Sequence, residues 1–161
     1  VRSFGIDMEI LMKCIMGLDP GASGAVAFYF PDQRAAISAY DMPIVGKDVD
    51  AAALYDIIIN YNPDFAVVEI VHAMPKQGVS SSFNFGKSYG TALGVIGAIK
   101  IPTIHVSPVK WKKHFGLTSD KEKSRALAIA TWPHSDHFRR KKDDGRAEAA
   151  LMALYGARVR I

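Results

Sequence analysis

The sequence predicts a mixed α/β domain in which an antiparallel edge grades into parallel pairing. Three short apolar runs, residues 14–19, 24–30 and 34–40, follow one another across short links containing Gly or Pro, the spacing of an antiparallel meander. Two further apolar runs, residues 65–71 and 103–106, are each preceded by a segment of helix length, as parallel strands joined by crossovers require. At 161 residues the chain suits one domain with a core of its own.

Each element has its own local reason. The first apolar run ends in Asp19 and the breaker pair Pro20-Gly21. Residues 50–61 have helical spacing, with Leu54, Ile57, Ile58 and Tyr61 on one face, and Asn62-Pro63 ends them. Residues 65–71 are nearly all apolar, which implies a strand buried on both faces. A Ser-rich segment leads into a helix over residues 81–99. There Gly86, Gly90, Gly94 and Gly97 form a stripe that permits close backbone approach, and Phe83 and Phe85 suit the core or a dimer interface, the core being favoured. Ser107-Pro108 reads as an N-cap and N1 proline opening a basic helix. Ser119 with Glu122 reads as a capping box for the next helix. Residues 132–142 read as a basic loop and residues 144–158 as the last helix.

Composition narrows the class. Hydrophobic residues make up 49% and charged ones 22%, ordinary values for a globular protein. No apolar run approaches the roughly 18–20 residues of a membrane-spanning helix. Residues 1–11 lack a signal pattern and read as a tail or cloning remnant ahead of a natural start at Met12, leaving residues 12–161 as one domain. The single cysteine, Cys14, excludes an intramolecular disulfide and a cysteine zinc cluster. Together these features imply a cytoplasmic setting. The net charge of +4 is unevenly spread, since residues 100–142 hold eleven Lys or Arg against three acids. Such a segment suits a polyanion partner, and on charge alone it equally suits a solvated helix face.

The acids carry the functional reading. Asp19 ends the first strand, Glu69 interrupts the most apolar one, and Asp144 and Glu148 stand four apart on one helix face continued by Leu151 and Met152. A carboxylate in a buried strand is costly unless it is paired or bound to a metal. Neither strand offers a Lys or Arg of its own. Singly, Asp19 is explained by an Asx turn and Glu69 by backbone amides; three separate elements sending acids to one centre point to a metal site. Oxygen-only ligands suit Mg²⁺, with Mn²⁺ as a substitute. Two such ions about 3.5–4 Å apart activate water and stabilise the leaving oxygen in phosphodiester cleavage. Asp143 points about 100° away from Asp144 around a helix, and the i, i+4 relation to Glu148 favours Asp144.

With these residues in place, the chain resembles a known family. Gly17-Leu18-Asp19-Pro20-Gly21-Ala22-Ser23-Gly24 is similar to the opening of RuvC-like Holliday junction resolvases. Val67-Val68-Glu69 matches the second acidic position, and residues 72–86 resemble the loop and helix start of the phage-type branch. Ser107-Pro108-Val109-Lys110-Trp111-Lys112-Lys113 resembles the basic helix, and Asp144-Gly145-Arg146-Ala147-Glu148 the final acidic one. The resemblance implies an RNase H-like nuclease domain, a homodimer, and paired magnesium-dependent nicks in a four-way DNA junction. It also implies that Asp19, Glu69, Asp144 and Glu148 are both catalytic and metal-holding. Two departures are visible: the second acid of the last helix is Glu148 rather than an aspartate, and His72 stands where bacterial members carry an aromatic wedge.

For DNA contact the candidates are Lys110, Lys112 and Lys113 on the basic helix, Lys76 and Ser81 in the Ser-rich segment, Lys87, and Arg139 and Arg140 in the basic loop. Two other classes compete. One is an inert RNase H-like DNA-binding or scaffolding module. The other is an actin-like or sugar-kinase-type phosphate-binding domain, whose fold is duplicated and needs a longer chain.

Overall fold

A computed structural model describes residues 13–159. The tail assigned to residues 1–11 and the start at Met12 lie outside the described residues. Strands β1 (Ile15–Asp19), β2 (Ala25–Phe30) and β3 (Ala36–Asp41) form the antiparallel meander. A two-stranded ribbon, β4 (Ile44–Val45) and β5 (Asp48–Val49), leads to helix α1 (Ala51–Tyr61). Then follow β6 (Phe65–Glu69), α2 (Val79–Ile99), β7 (Thr103–Val106), α3 (Pro108–His114) and α4 (Lys121–Thr131). A 3₁₀ turn (Lys141–Asp143) runs directly into α5 (Asp144–Val159). The sheet order is β3-β2-β1-β6-β7, with β6 and β7 parallel to β1. This is the predicted mixed sheet flanked by helices, an RNase H-like arrangement. Among the described residues no helix is long and apolar enough to cross a membrane.

Alternation along the strands divides the core into two layers. Met16 and Leu18 of β1, with Ala66 and Val68 of β6, face α1 and α2, where Leu54, Ile58, Ala92 and Ile96 are buried. Ile15 of β1, with Phe65 and Val67 of β6, faces the opposite side, where α5 lies. That helix is buried without interruption from Ala147 to Gly156, apolar there except for Glu148, and packs against both the sheet and α4.

The seating of α5 depends on Gly17. A Cβ there would stand 2.0 Å from the Ala149 carbonyl oxygen and 2.7 Å from the Ala153 nitrogen, so helix backbone rests directly on strand backbone. At the start of β1, the Asp64 carboxylate accepts from the Lys13 and Cys14 amides at 2.8 and 3.0 Å, which anchors β1 to the residue before β6.

Local details differ from expectation in four places. Asp120, not Ser119, caps α4, its carboxylate accepting from the Glu122 amide at 3.0 Å; Glu122 turns to Arg125 instead of closing a box. The β4–β5 ribbon was not foreseen, because two-residue strands leave no periodicity. Cβ atoms built at Gly86, Gly90, Gly94 and Gly97 meet nothing within 4 Å, so the stripe faces away from the other described residues. Phe83, assigned to the core, is 68% exposed on the same outward side.

Replacing Gly17 with valine forces a side chain into the β1–α5 backbone contact. The expected cost is about 3 kcal/mol or more, read as a drop in the urea midpoint. An unchanged midpoint would mean that α5 is not seated there.

Candidate acidic centre

The register of the two central parallel strands builds the site. Ile15 pairs with Phe65, Gly17 with Val67 and Leu18 with Val68, and the next step sets Asp19 beside Glu69. Both lie at odd positions, so both side chains point to the α5 face at the carboxyl ends of their strands. Crevices at the carboxyl ends of parallel strands are where open α/β sheets bind ligands. Glu69 is buried, and its Oε1 accepts from the indole Nε1 of Trp111 at 2.9 Å.

Helix α5 supplies the other two acids. Glu148 is buried; its Oε1 accepts from the Ser124 hydroxyl at 3.2 Å and pairs with the Lys112 ammonium at 2.7 Å. Asp144, one turn earlier, is partly buried and pairs with Lys121 at 3.2 Å. The proximity of these groups is visible in their ionisation. Burial, then the charges of Glu69 and Glu148, push the Asp19 carboxyl up to about 7, against the opposing pull of Lys121 and Lys112. Burial likewise raises Glu69, partly offset by the Trp111 hydrogen bond. The centre is therefore a desolvated place in which like charges add to the penalty of burial and the two lysines only partly offset it.

Asp143 is a different kind of residue. It is 1% exposed, and its carboxylate takes the Arg140 backbone N–H at 2.8 Å and the Arg140 guanidinium at 2.8–3.3 Å. Burial alone would raise its carboxyl, but Arg140 holds it below the usual range. It closes the turn that starts α5, while Asp144 is left facing the centre.

The four predicted acids thus come from β1, β6 and α5 as expected, but they do not form a closed ligand set. Among the described residues no three His, Cys, Asp or Glu side chains are gathered as metal ligands. Two lysines are interleaved instead. Lys112, expected on the DNA-facing surface, is turned inward, its side chain 13% exposed and its ammonium 5.3 Å from the Trp111 ring centre. The unpaired charge of buried Glu148 explains the inward turn. Trp111, Lys121 and Ser124 were not singled out as parts of the centre. Trp111 carried a signal in its place, an aromatic amid lysines; Lys121 and Ser124 lay in an unremarkable amphipathic helix.

The remaining DNA-contact candidates are all exposed. Lys110 and Lys113 are exposed on α3, as are Lys76 and Ser81 before and within the start of α2. Lys87 pairs with Asp48 at 2.7 Å, Arg139 with Asp136 at 2.7 Å, and Arg140 with Asp143. Arg140 therefore braces the α5 turn while its side chain stays half exposed. Arg125 braces this basic loop from α4, donating to the carbonyls of Phe138 and Arg139 at 3.1 Å. His72 is exposed beyond β6.

Solved structures with the same chain path identify the fold. Thermus thermophilus RuvC superposes with a TM-score of 0.64 at 16% identity, over 91% of this chain and 96% of that one. The fold is that of the RuvC-type Holliday junction resolvases. The same RuvC in complex with a Holliday junction substrate gives a TM-score of 0.61 at 14% identity, over 91% of this chain and 95% of that one. The fowlpox virus Holliday junction resolvase gives 0.53 at 18% identity, over 91% and 99%. No family model matches the sequence, and no curated protein matches it either.

The raised Asp19 carboxyl has a measurable consequence without metal. Below about pH 4 the carboxyl is protonated in both folded and unfolded chains, and the site carries no penalty. Between about 4 and 7 the unfolded chain ionises first, so stability falls as pH rises, by up to about 4 kcal/mol, and levels off above 7. Asp19→Asn lacks this decline. In chelator, its urea-denaturation stability relative to the wild type should therefore improve steadily from pH 4 to 7 and then plateau. A difference independent of pH would place Asp19 outside the acidic centre.

Proposed function

We propose that this chain is a metal-dependent endonuclease that cuts branched DNA, with four-way junctions as its substrate. One observation carries the reading: the strand register sets Asp19 beside Glu69 at the sheet's carboxyl edge, facing Glu148 and Asp144 of α5, within a fold shared with junction resolvases. One solved RuvC structure is itself a complex with a junction substrate, and a fowlpox resolvase structure holds Holliday junction DNA.

The donor set fits a hard divalent cation. It is oxygen-only and partly or fully buried, and burial together with the charges of Glu69 and Glu148 raises the Asp19 carboxyl to about 7. Asp19, Glu69, Asp144 and Glu148 are the residues that would hold Mg²⁺, or Mn²⁺ in its place. When bound, the ions supply an activated water and charge stabilisation at the leaving oxygen. Trp111 fixes the rotamer of Glu69, and Ser124 that of Glu148. Lys112 and Lys121 neutralise the acids in the metal-free chain and can turn toward the phosphate backbone once the acids are engaged. Lys110, Lys113, Lys76 and Ser81 border the centre as contacts to DNA.

We further infer a homodimer. The outer face of α2, with Val79, Phe83 and the glycine stripe, is apolar, exposed and unmatched by the other described residues. Two-fold pairing across it gives two acidic centres for two symmetric nicks.

In magnesium buffer the wild type should nick a synthetic four-way junction in preference to linear duplex or RNA–DNA hybrid. Asp19→Asn and Glu69→Gln should each lower the single-turnover rate by at least about a thousandfold while retaining junction binding in calcium. Binding without cleavage by the wild type would instead identify an inert junction-binding module. ATP hydrolysis in place of nicking would identify a nucleotide-phosphate site.

Lys110 and Lys113, replaced together by alanine, should weaken junction binding irrespective of sequence. If both touch phosphate, the slope of log affinity against log salt should fall by about 1.8. An unchanged slope would show that α3 does not touch DNA.

A further inference from the structure

Trp111 engages one particular oxygen of Glu69. The β6–β7 register sets Glu69 beside Val106, and the Ile70 amide donates to the Val106 carbonyl at 2.8 Å. β7 ends at that residue, and Ser107 turns the chain at once into α3, its hydroxyl accepting from the Lys110 amide at 3.3 Å. Trp111 therefore falls in the first turn of α3, within reach of the end of β6. Its side chain is fully buried, and its indole donates to Glu69 Oε1 at 2.9 Å.

An indole nitrogen donates and cannot accept, and a buried N–H stripped of its acceptor is costly. Oε1 is thereby committed to the protein. The Lys112 ammonium, 5.3 Å from the ring centre, restrains the indole further. Oε2 of Glu69 has no hydrogen-bond partner among the described residues. No fully buried side-chain oxygen among them lacks one, so Oε2 opens to solvent. Glu148 shows the same division, since Ser124 and Lys112 both meet its Oε1. Each buried glutamate thus has one oxygen held and one on offer.

That division separates two common hard cations. Mg²⁺ demands a near-octahedral shell and keeps several waters, so single carboxylate oxygens suit it. Ca²⁺ is larger, takes more oxygens, and often grips both oxygens of one carboxylate. To grip Glu69 in that way an ion must draw Oε1 from the indole and leave a buried donor bare.

We propose that Trp111 is a positioning residue that sets the cation preference of the acidic centre, holding Glu69 to one free oxygen and so favouring Mg²⁺ over Ca²⁺. The proposal rests on the reading of the four acids as a cation site. It gives the aromatic residue amid the lysines of α3 a task separate from DNA contact.

The test measures cations bound by the full chain without DNA. Mn²⁺ is titrated in and its free fraction read by electron paramagnetic resonance; Mg²⁺ or Ca²⁺ is then added as competitor. In Trp111→Phe the ratio of Ca²⁺ to Mg²⁺ affinity should rise about tenfold over wild type, because no donor is left bare. A general weakening of the site from lost packing cancels in the ratio. Since Trp111 lies in the core, the same titration is run on a chain carrying 3-benzothienylalanine at position 111, which keeps the bicyclic shape and lacks the N–H. It should reproduce the shift. An unchanged ratio in this isostere, with Mn²⁺ still bound, would overturn the proposal and leave Trp111 a packing residue. Failure of the nuclease reading shows separately, as absence of magnesium-dependent junction nicking, and leaves the ratio readable. A wild type that binds no Mn²⁺ would overturn both.

Discussion

The backbone contact between α5 and β1 at Gly17 is the constraint on which the acidic centre depends. A helix separated from the sheet by ordinary side chains would ride several ångströms higher and carry Glu148 and Asp144 out of reach of the strand ends. With no Cβ at Gly17, Ala149 and Ala153 rest on the strand, and the first turn of α5 reaches the carboxyl edge where Asp19 and Glu69 emerge. The alanine-rich sequence of α5 serves the same end, since small side chains let it lie flat.

That proximity concentrates like charge in a partly desolvated place, and the surrounding helices answer it. α3 sends an indole N–H to Glu69 and an ammonium to Glu148 from adjacent residues, Trp111 and Lys112. α4 sends Lys121 to Asp144 and Ser124 to Glu148. Among the described residues Glu69, Asp144 and Glu148 each have a side-chain partner and Asp19 has none, and Asp19 is the one whose carboxyl is pushed to about 7. It is thus the acid with most to gain from an external cation.

The strand acids were legible because an acid in an apolar run violates the local pattern. The choice of Asp144 over Asp143 followed from helix geometry; in the structure Asp143 is bound to Arg140, and Asp144 pairs with Lys121. Lys112 was not legible as an inward residue. Lys110, Lys112 and Lys113 have the same local chemistry, and only the tertiary position of Glu148 distinguishes one of them. The same holds for Phe83: its spacing fits a buried face as well as an outward one, and the decision lies in what packs beside it. The cap of α4 was misplaced by one residue because Ser119 and Asp120 are both good caps, and the Thr118 hydroxyl, accepting from the Asp120 amide at 3.3 Å, settles the turn.

Asp143 and Asp144 show how neighbouring residues of one type fall under different kinds of selection. Asp143 contributes through the fold, by fixing the turn from which α5 starts. Its loss should be compensable by stabilising changes elsewhere, and an asparagine that keeps one acceptor for the Arg140 amide should be tolerated at moderate temperature. In the proposed nuclease Asp144 would contribute through its charge at the centre, and no gain in stability elsewhere would restore it. In a library screened for function, suppressors of Asp143 changes should therefore be scattered through the core, and those of Asp144 changes should be almost absent.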